Sequence, residues 1–428
     1  MMRALTATEV RQAVRGRWLL RQEVLPIRTV GIDSRARMDS GLFVAICGDN
    51  FDGHDFLEAA AAQGAVVAIV DEHHEIPQAV AEAFPVGVIV VEDTRLALLE
   101  LAGFYRSVLA ARVVAITGSN GKTTVKEMLH HILSKRLAGT ANLRNNNNLI
   151  GVSLTLMGAN AGDDYVITEV GTNATGEIAQ LSRAIKPDIA VITSISEAHL
   201  DGLPGLREIA FEKAAILGWV GERGMGVVTA DSEDLDWALK SYPRPMIHFG
   251  ESDSAQLRLT AYEPTDTGSR FQINNRDWVT LAVRGKHNAL NAMAAIAIAA
   301  RFGFTQDDAA AAMAEFQPVA MRLEERTCGT LDMIVDCYNA NPASTIAAGE
   351  GLSERPCATR RVMIVGDMLE LGERADELHI SVGKALGALG LDLVIGIGAL
   401  GKLIAKNAGA RTGSTVEFDT VAQAANGL

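Results

Sequence analysis

The sequence predicts an α/β protein of three domains: a small α/β N-terminal domain, a central parallel-sheet domain built around a P-loop, and a C-terminal Rossmann-like α/β domain. Three observations lead there. The 428 residues suit two to four domains, each long enough to bury its own core. Short β-branched runs alternate with helix-prone segments in three successive stretches, which is how parallel sheets with crossover helices read. And residues 112–128, RVVAITGSNGKTTVKEM, run from a buried strand through a glycine turn into a helix. Boundaries fall near Glu92 and Gln317, giving domains 1–92, 93–317 and 318–428.

Composition narrows the class. With 48% hydrophobic and 21% charged residues the chain reads as an ordinary globular protein. A formal charge of −13 argues against broad nucleic-acid binding, which needs basic surface to displace counterions. Cys47, Cys328, Cys337 and Cys357 form no C-x-x-C pair and have no histidine at ligand spacing, so they read as reduced packing residues. The N-terminus lacks an apolar signal core, and the most apolar helix, residues 288–300, is too short to span a bilayer. A cytoplasmic monomer acting on small molecules, with neither membrane nor nucleic-acid partners, is the expectation.

In the first stretch Thr8 is a candidate N-cap for an opening helix. Gly/Asp turns then punctuate strand-like runs, followed by a helix at 57–63 and strands at 66–70 and 86–91. Asp33-Ser34-Arg35 and Asn50-Phe51-Asp52-Gly53-His54 read, on their residues alone, as turn and cap chemistry.

The middle stretch carries the chemistry. After the strand at 113–116, Gly118 and Gly121 let backbone N–H groups converge on phosphate oxygens, with Ser119, Asn120 and Thr124 completing the turn. Lys122 can reach β/γ-phosphates and the Thr123 hydroxyl can hold Mg²⁺. The first glycine of the general G-x-x-x-x-G-K-[ST] pattern would fall on Ile116, so the loop is a shortened variant. A plain strand–turn–helix junction explains the glycines but not Lys-Thr-Thr at a helix start, where two β-branched residues are poor helix formers. A helix at 95–109 precedes this loop, and an asparagine run at 142–148 follows it. Strands at 165–169 and 189–195 end in Glu169 and His199, on the sheet edge that bears the phosphate loop, where each could complete a Mg²⁺ sphere. A helix at 205–217 carries Lys213, which reads as a surface charge. Asn288 or Asn291, at the start of the Ala-rich helix, could face a base.

In the last stretch, strands at 333–337, 362–365 and 393–397 alternate with helices and imply a second small parallel sheet. Asp336-Cys337-Tyr338-Asn339-Ala340-Asn341-Pro342 and GDMLELG, residues 366–372, follow two of these strands.

These motifs together resemble the Mur ligase family. DSR, GLFVAI and FDGHDF resemble its uridine-diphosphate-binding domain. TGSNGKTT, NNLIGV, EVGTNATGEI, ITSISEAHLDGL, FEKA and GKHNALNA have the order and spacing of its ATP-binding domain. YNANP and GDMLELG resemble the branch that adds D-alanyl-D-alanine, and the Asp-Asn-Pro-Arg motif of the diaminopimelate- or lysine-adding branch is missing. The resemblance implies an ATP-dependent, ADP-forming amide ligase that joins D-alanyl-D-alanine to UDP-N-acetylmuramoyl-tripeptide through an acyl phosphate, in peptidoglycan precursor synthesis. It implies two Mg²⁺ ions held with Thr123, Glu169, His199 and a carbamylated Lys213, triphosphate on Lys122 and Thr123, and adenine near Asn288 and Asn291. It places Arg322 at the γ-phosphate. Ser34, Arg35, Asn50, Asp52, Gly53 and His54 would lie beside the nucleotide-sugar diphosphate, and Asn147, Asn148, Asn173, Tyr338, Asn339 and Asn341 along the substrate cleft.

The sequence departs from the family at Thr175, where this branch usually has proline, and the crowded Asn145–Asn148 leaves its asparagine pair ambiguous. It also stops at Leu428 without the final VKGSR-like strand and helix. Three alternatives stay open: another branch of the family, a folylpolyglutamate-synthetase-like ligase, and a nucleotide-binding module that joins nothing.

Overall fold

The computed structural model describes residues 2–142, 146–198, 200–355, 360–412 and 414–427. Its strands fall into four sheets. The N-terminal sheet has the order Arg17–Arg21, Gly87–Val91, Ala65–Asp71, Gly41–Val44, Thr29–Gly31, with only the first strand antiparallel. Its central strands are buried almost throughout, which is why they read as unbroken apolar runs rather than alternations. The opening helix, Ala7–Ala13, is capped two residues earlier than expected: Thr6, not Thr8, accepts from the Glu9 N–H, and Glu9 answers with its carboxylate on the Thr6 N–H.

The central sheet has nine strands. Six parallel strands, Met246–Gly250, Met225–Thr229, Ile189–Ile192, Arg112–Thr117, Tyr165–Glu169 and Gly139–Ala141, form one continuous run in that order. At its other edge an antiparallel meander, Leu257–Thr265, Gly268–Ile273 and Trp278–Leu281, was not expected from the sequence. The helices Lys122–Leu133 and Lys286–Ala300 share one apolar cluster that covers a face of this sheet. The other face is continuous with the N-terminal core through the helix Thr94–Val108, so no solvent layer separates the two units.

The last stretch differs from its expectation. The strand read at 333–337 is Leu331–Val335, and it pairs antiparallel with Glu324–Cys328 instead of joining the parallel sheet. Gly329, at φ 62°, permits the tight reversal that makes this local pairing available. The parallel sheet is formed by Val362–Val365, Leu393–Ile397 and Thr415–Phe418. Its core takes in Leu200, Leu203 and Ile209 of the central domain, against Met368 and Leu371 of GDMLELG. The Leu200 N–H donates to the Glu370 carbonyl at 2.8 Å, and Arg374 pairs with Glu197 at 2.7 Å. GDMLELG is thus the dock by which the C-terminal domain grips the loop after the strand Ile189–Ile192.

Cys47, Cys328 and Cys337 are exposed, so they are surface thiols and not the packing residues expected; Cys357 lies outside the described residues. Among the described residues no helix is long and apolar enough to cross a membrane.

Candidate active site

The phosphate loop leaves the strand Arg112–Thr117 at the sheet edge and caps the helix Lys122–Leu133. Gly118 has φ 149°, and a Cβ there would stand 1.9 Å from the Thr193 hydroxyl; Gly121, at φ 82°, is the left-handed residue before the helix. Glycine is required at both positions. The neighbouring loop braces the turn: the Ser119 N–H donates to Ser194 O at 2.9 Å, the Asn120 N–H to Ser194 Oγ at 2.8 Å, and Asn120 Nδ2 to Ser196 Oγ at 3.0 Å. Ser194 and Ser196 were not singled out from the sequence, although they lie inside the ITSISEAH motif.

The half-buried Lys122 folds its ammonium back over its own loop, donating to Gly118 O at 2.7 Å. Burial lowers its pKa and Arg322 adds to that, while Glu169 opposes both. The buried Thr123 hydroxyl donates to Glu169 at 2.8 Å, and Asn147 Nδ2 donates to the other oxygen of the same carboxylate at 2.9 Å. Hydroxyl and carboxylate are hard oxygen donors a hydrogen bond apart, a set that suits Mg²⁺.

Lys213 overturns its surface reading. It is 2% exposed, on the inner face of the helix Leu206–Ala214. Among the described residues no hydrogen bond or ion pair holds its ammonium. Burial pushes its pKa well down, and the nearby Lys122 charge pushes further. The charge of its neighbour Glu212 opposes this fall, although that carboxylate is spent capping the helix Glu177–Ile185, accepting from the N–H groups of Gly176 at 2.7 Å and Ile178 at 2.8 Å. A buried lysine that no described residue hydrogen-bonds or ion-pairs is costly and marks a place where other chemistry is intended. His199 lies outside the described residues.

A cleft of ≈ 290 Å³ opens beside the loop, between Asn120, Thr124, His287, Asn291, Arg322 and Ser344. Asn288 and Asn291 are buried at its wall; Asn288 donates to Arg284 O at 2.7 Å, and Asn291 Nδ2 lies 3.4 Å from Asn288 Oδ1. His287 is held neutral by burial, its pKa lowered to about 4. The C-terminal domain closes the cleft. Asn341 caps the helix Pro342–Ser353 and exchanges amide hydrogen bonds with Asn120, at 2.8 and 3.2 Å, so the phosphate loop and the C-terminal domain are stitched directly. Arg322 sits over the Tyr338 ring at 4.5 Å, between Met321 at φ 57° and Leu323 at φ 50°. Two bulky residues in the left-handed region on either side of one arginine are strained backbone at the interdomain linker.

The other candidates are placed as follows. Asn148 spends its side-chain oxygen capping the helix Leu149–Gly158, while Asn173 and Asn339 are exposed. Arg35 lies on the N-terminal surface, paired bidentately with Asp33 at 2.8 Å through Nε and Nη2, and it holds that carboxyl down at about 2. Ser34 is half-buried beside it, and Asn50 is exposed on the next turn. Asp52 caps the single turn Gly53–Phe56 and accepts the His54 N–H at 2.9 Å. Gly53 packs against the backbone of Ala45 and Ile46.

A phosphate loop on a parallel sheet, Lys122 and Arg322 beside one buried carboxylate, and a cleft roofed by a second α/β domain define a nucleotide-using α/β enzyme that works between domains. The comparisons carry this further. Three family models match consecutive parts of the chain: the Mur ligase family catalytic domain over 26–106, the Mur ligase middle domain over 116–299, and the Mur ligase glutamate ligase domain over 321–428. The chain is 36% identical over 382 residues to UDP-N-acetylmuramoyl-tripeptide–D-alanyl-D-alanine ligase of Escherichia coli, covering 87% of this chain and 82% of that one. Among solved structures it is similar to MurF of Acinetobacter baumannii, with TM-score 0.88, 30% identity and coverage of 99% and 91%. It is also similar to MurF ligase of Thermotoga maritima in complex with ADP, with TM-score 0.79, 25% identity and coverage of 92% and 94%. The chain belongs to the Mur ligase family.

Proposed function

We propose that this protein is an ATP-dependent, ADP-forming ligase that joins D-alanyl-D-alanine to UDP-N-acetylmuramoyl-tripeptide in peptidoglycan precursor synthesis. The observation that carries the reading is the anion-seeking site: Lys122 and Arg322 lie near one carboxylate, Glu169, at the start of a helix, with Lys213 buried near Lys122. The relatives that match along most of the chain are named for this reaction.

In this reading ATP phosphorylates the terminal carboxylate of the tripeptide, the dipeptide amine attacks the acyl phosphate, and the tetrahedral intermediate expels phosphate. Lys122 leaves the Gly118 carbonyl and turns to the triphosphate, and the loop N–H groups with the helix dipole receive its oxygens. Thr123, Glu169 and a carbamate on Lys213 would hold Mg²⁺, with His199 as a further ligand. Bound there, Mg²⁺ would neutralise charge on the phosphoryl oxygens. The buried, uncharged tendency of the Lys213 amine favours carbamate formation, in which the amine takes up CO₂ and releases a proton. The docked C-terminal domain keeps water from the acyl phosphate and brings Arg322 to the γ-phosphate.

The test is incubation of the protein with ATP, Mg²⁺, UDP-N-acetylmuramoyl-tripeptide and D-alanyl-D-alanine. ADP release that requires both acceptor and dipeptide, with a product heavier by the dipeptide less one water, is the expected outcome. ADP release indifferent to the dipeptide would refute it.

Arg322 gives a second test. It enters the cleft from the linker, whereas the phosphate loop belongs to the central domain, so its contact is made with the transferring group more than with bound ATP. Arg322→Ala is expected to lower kcat on the order of 10²-fold while ATP affinity changes little. Unchanged kcat with weakened ATP binding would contradict this role.

A further inference from the structure

Lys126 is fully buried on the helix Lys122–Leu133, three residues past Thr123 and therefore on the same face. Its ammonium donates to Asn142 O at 2.8 Å and pairs with Glu127 at 2.9 Å. Taking a lysine out of water is costly even when it is paired, and a position that needed only to be filled would carry leucine or methionine. The residue it anchors leads to the active site.

Asn142 is buried just past the strand Gly139–Ala141, and its N–H donates to Ile167 O at 3.2 Å on the neighbouring strand. Its side chain works in two directions: Oδ1 accepts the Glu169 N–H at 2.9 Å, and Nδ2 donates to Asn146 O at 3.3 Å. Asn146 precedes Asn147, whose amide holds Glu169 Oε1, while the Thr123 hydroxyl holds Oε2. The Gly171 N–H fixes Asn147 in turn, donating to its carbonyl at 2.9 Å. One helix therefore registers Glu169 twice. Thr123 does so directly on the carboxylate, and Lys126 does so through Asn142, on the Glu169 backbone and on the segment that presents Asn147.

We propose, on the ligase reading above, that Lys126 is a positioning residue: acting through Asn142, it sets the place and direction of the Glu169 carboxylate in advance of the cation. Mg²⁺ demands near-ideal octahedral geometry, so a carboxylate left free to swing binds it less well. The groups hydrogen-bonded behind a metal's ligands set that geometry. Lysine suits the task because its donors hold a carbonyl and a carboxylate at once from the end of a long apolar stem. Satisfied on all sides, such a buried polar network is stiff, and removing one member loosens the rest.

The test is Lys126→Met in the full chain, which keeps the stem and removes the donors. The Mg²⁺ concentration for half-maximal turnover is expected to rise about 10- to 100-fold, the usual effect of removing a group behind a metal ligand. Asn142→Ala leaves the carbonyl for Lys126 but takes away the grip on Glu169, so it should raise the Mg²⁺ requirement in the same way, and the double variant should go no further than the larger single one. Hydrogen exchange gives a readout that needs neither turnover nor metal: exchange of the Glu169 N–H should quicken about 10-fold in either variant, the scale of one weakened hydrogen bond, while the N–H groups of Val166 and Ile167 in the same strand stay protected. Asn142→Ala carries both readouts whether or not Lys126→Met folds. A packing role predicts a lower melting temperature with an unchanged Mg²⁺ requirement. That result, additive effects in the double variant, or unchanged exchange at Glu169 would overturn the proposal. Absence of acceptor-dependent ADP release in the unaltered chain would instead refute the ligase reading, and exchange at Glu169 would still decide whether Lys126 holds it.

Discussion

Lys213→Ala is expected to fold and to lose ligase turnover by on the order of 10²- to 10³-fold, the scale of removing one preorganised charged group from a transition state. The lysine is buried, no described residue hydrogen-bonds or ion-pairs its ammonium, and burial and Lys122 together outweigh Glu212 in disfavouring the charge. As an amine it is therefore wasted in this place, and beside Mg²⁺ an ammonium would be repelled. As a carbamate it becomes an oxygen ligand of the opposite charge. Two readouts separate this from a packing role. A short carboxylic acid such as acetate, supplied in the assay, should partly restore Lys213→Ala by filling the vacated space with a carboxylate. The unaltered enzyme should lose activity when CO₂ and bicarbonate are stripped and regain it on their return. Near-normal turnover of Lys213→Ala, or a loss that no carboxylate repairs, would remove the carbamate.

Lys122→Ala is the second large effect. Among the described residues the ammonium hydrogen-bonds only loop carbonyls, and the turn itself is held by glycines and by Ser194 and Ser196, so the fold should survive. Loss of a charge aimed at the transferring phosphoryl group costs on the order of 3 kcal/mol or more, roughly a hundredfold in rate. The measurement is ADP release together with far-UV circular dichroism. Ordinary turnover in a folded Lys122→Ala would contradict the phosphate-loop role.

Local chemistry explains which parts of this architecture could be read in advance. The phosphate loop was legible because glycine spacing, a β-branched strand and Lys-Thr-Thr are all contiguous. The strand Tyr165–Glu169 was legible to the residue because a fully buried parallel strand is an unbroken apolar run. The antiparallel meander at the far edge was missed because its longest strand, Leu257–Thr265, is half-buried or exposed at all but one position, and the strand that does alternate, Trp278–Leu281, has only four residues. The hairpin at Glu324–Cys328 and Leu331–Val335 was missed for a different reason: a glycine turn decided pairing that strand propensity alone leaves open. Lys213 could not be read as buried, since Glu212 precedes it in a helix that also carries Arg207 and Glu208, and its burial comes from the packing of that helix against its neighbours Glu177–Ile185 and Glu233–Leu239. The His74 ring, which stacks on His54 at 3.8 Å and meets the Asp52 carboxylate at 2.8 Å, had no signal at all. Its partners Asp52 and His54 are some twenty residues away, and only the parallel pairing of the strands Gly41–Val44 and Ala65–Asp71 brings them together.

The linker around Arg322 has a mechanical consequence. Met321 and Leu323 each sit in a conformation that costs L-residues roughly 1–2 kcal/mol, so the joint is held under load. The apolar contacts of Leu200, Leu203 and Ile209 and the Asn120–Asn341 stitch oppose that load. Strain stored in the joint is returned when the domains part, so it lowers the differential affinity a ligand needs to hold or release the clasp. Release of product then needs no separate device: once the phosphates that favour the clasp have gone, relaxation of the joint can itself open the cleft.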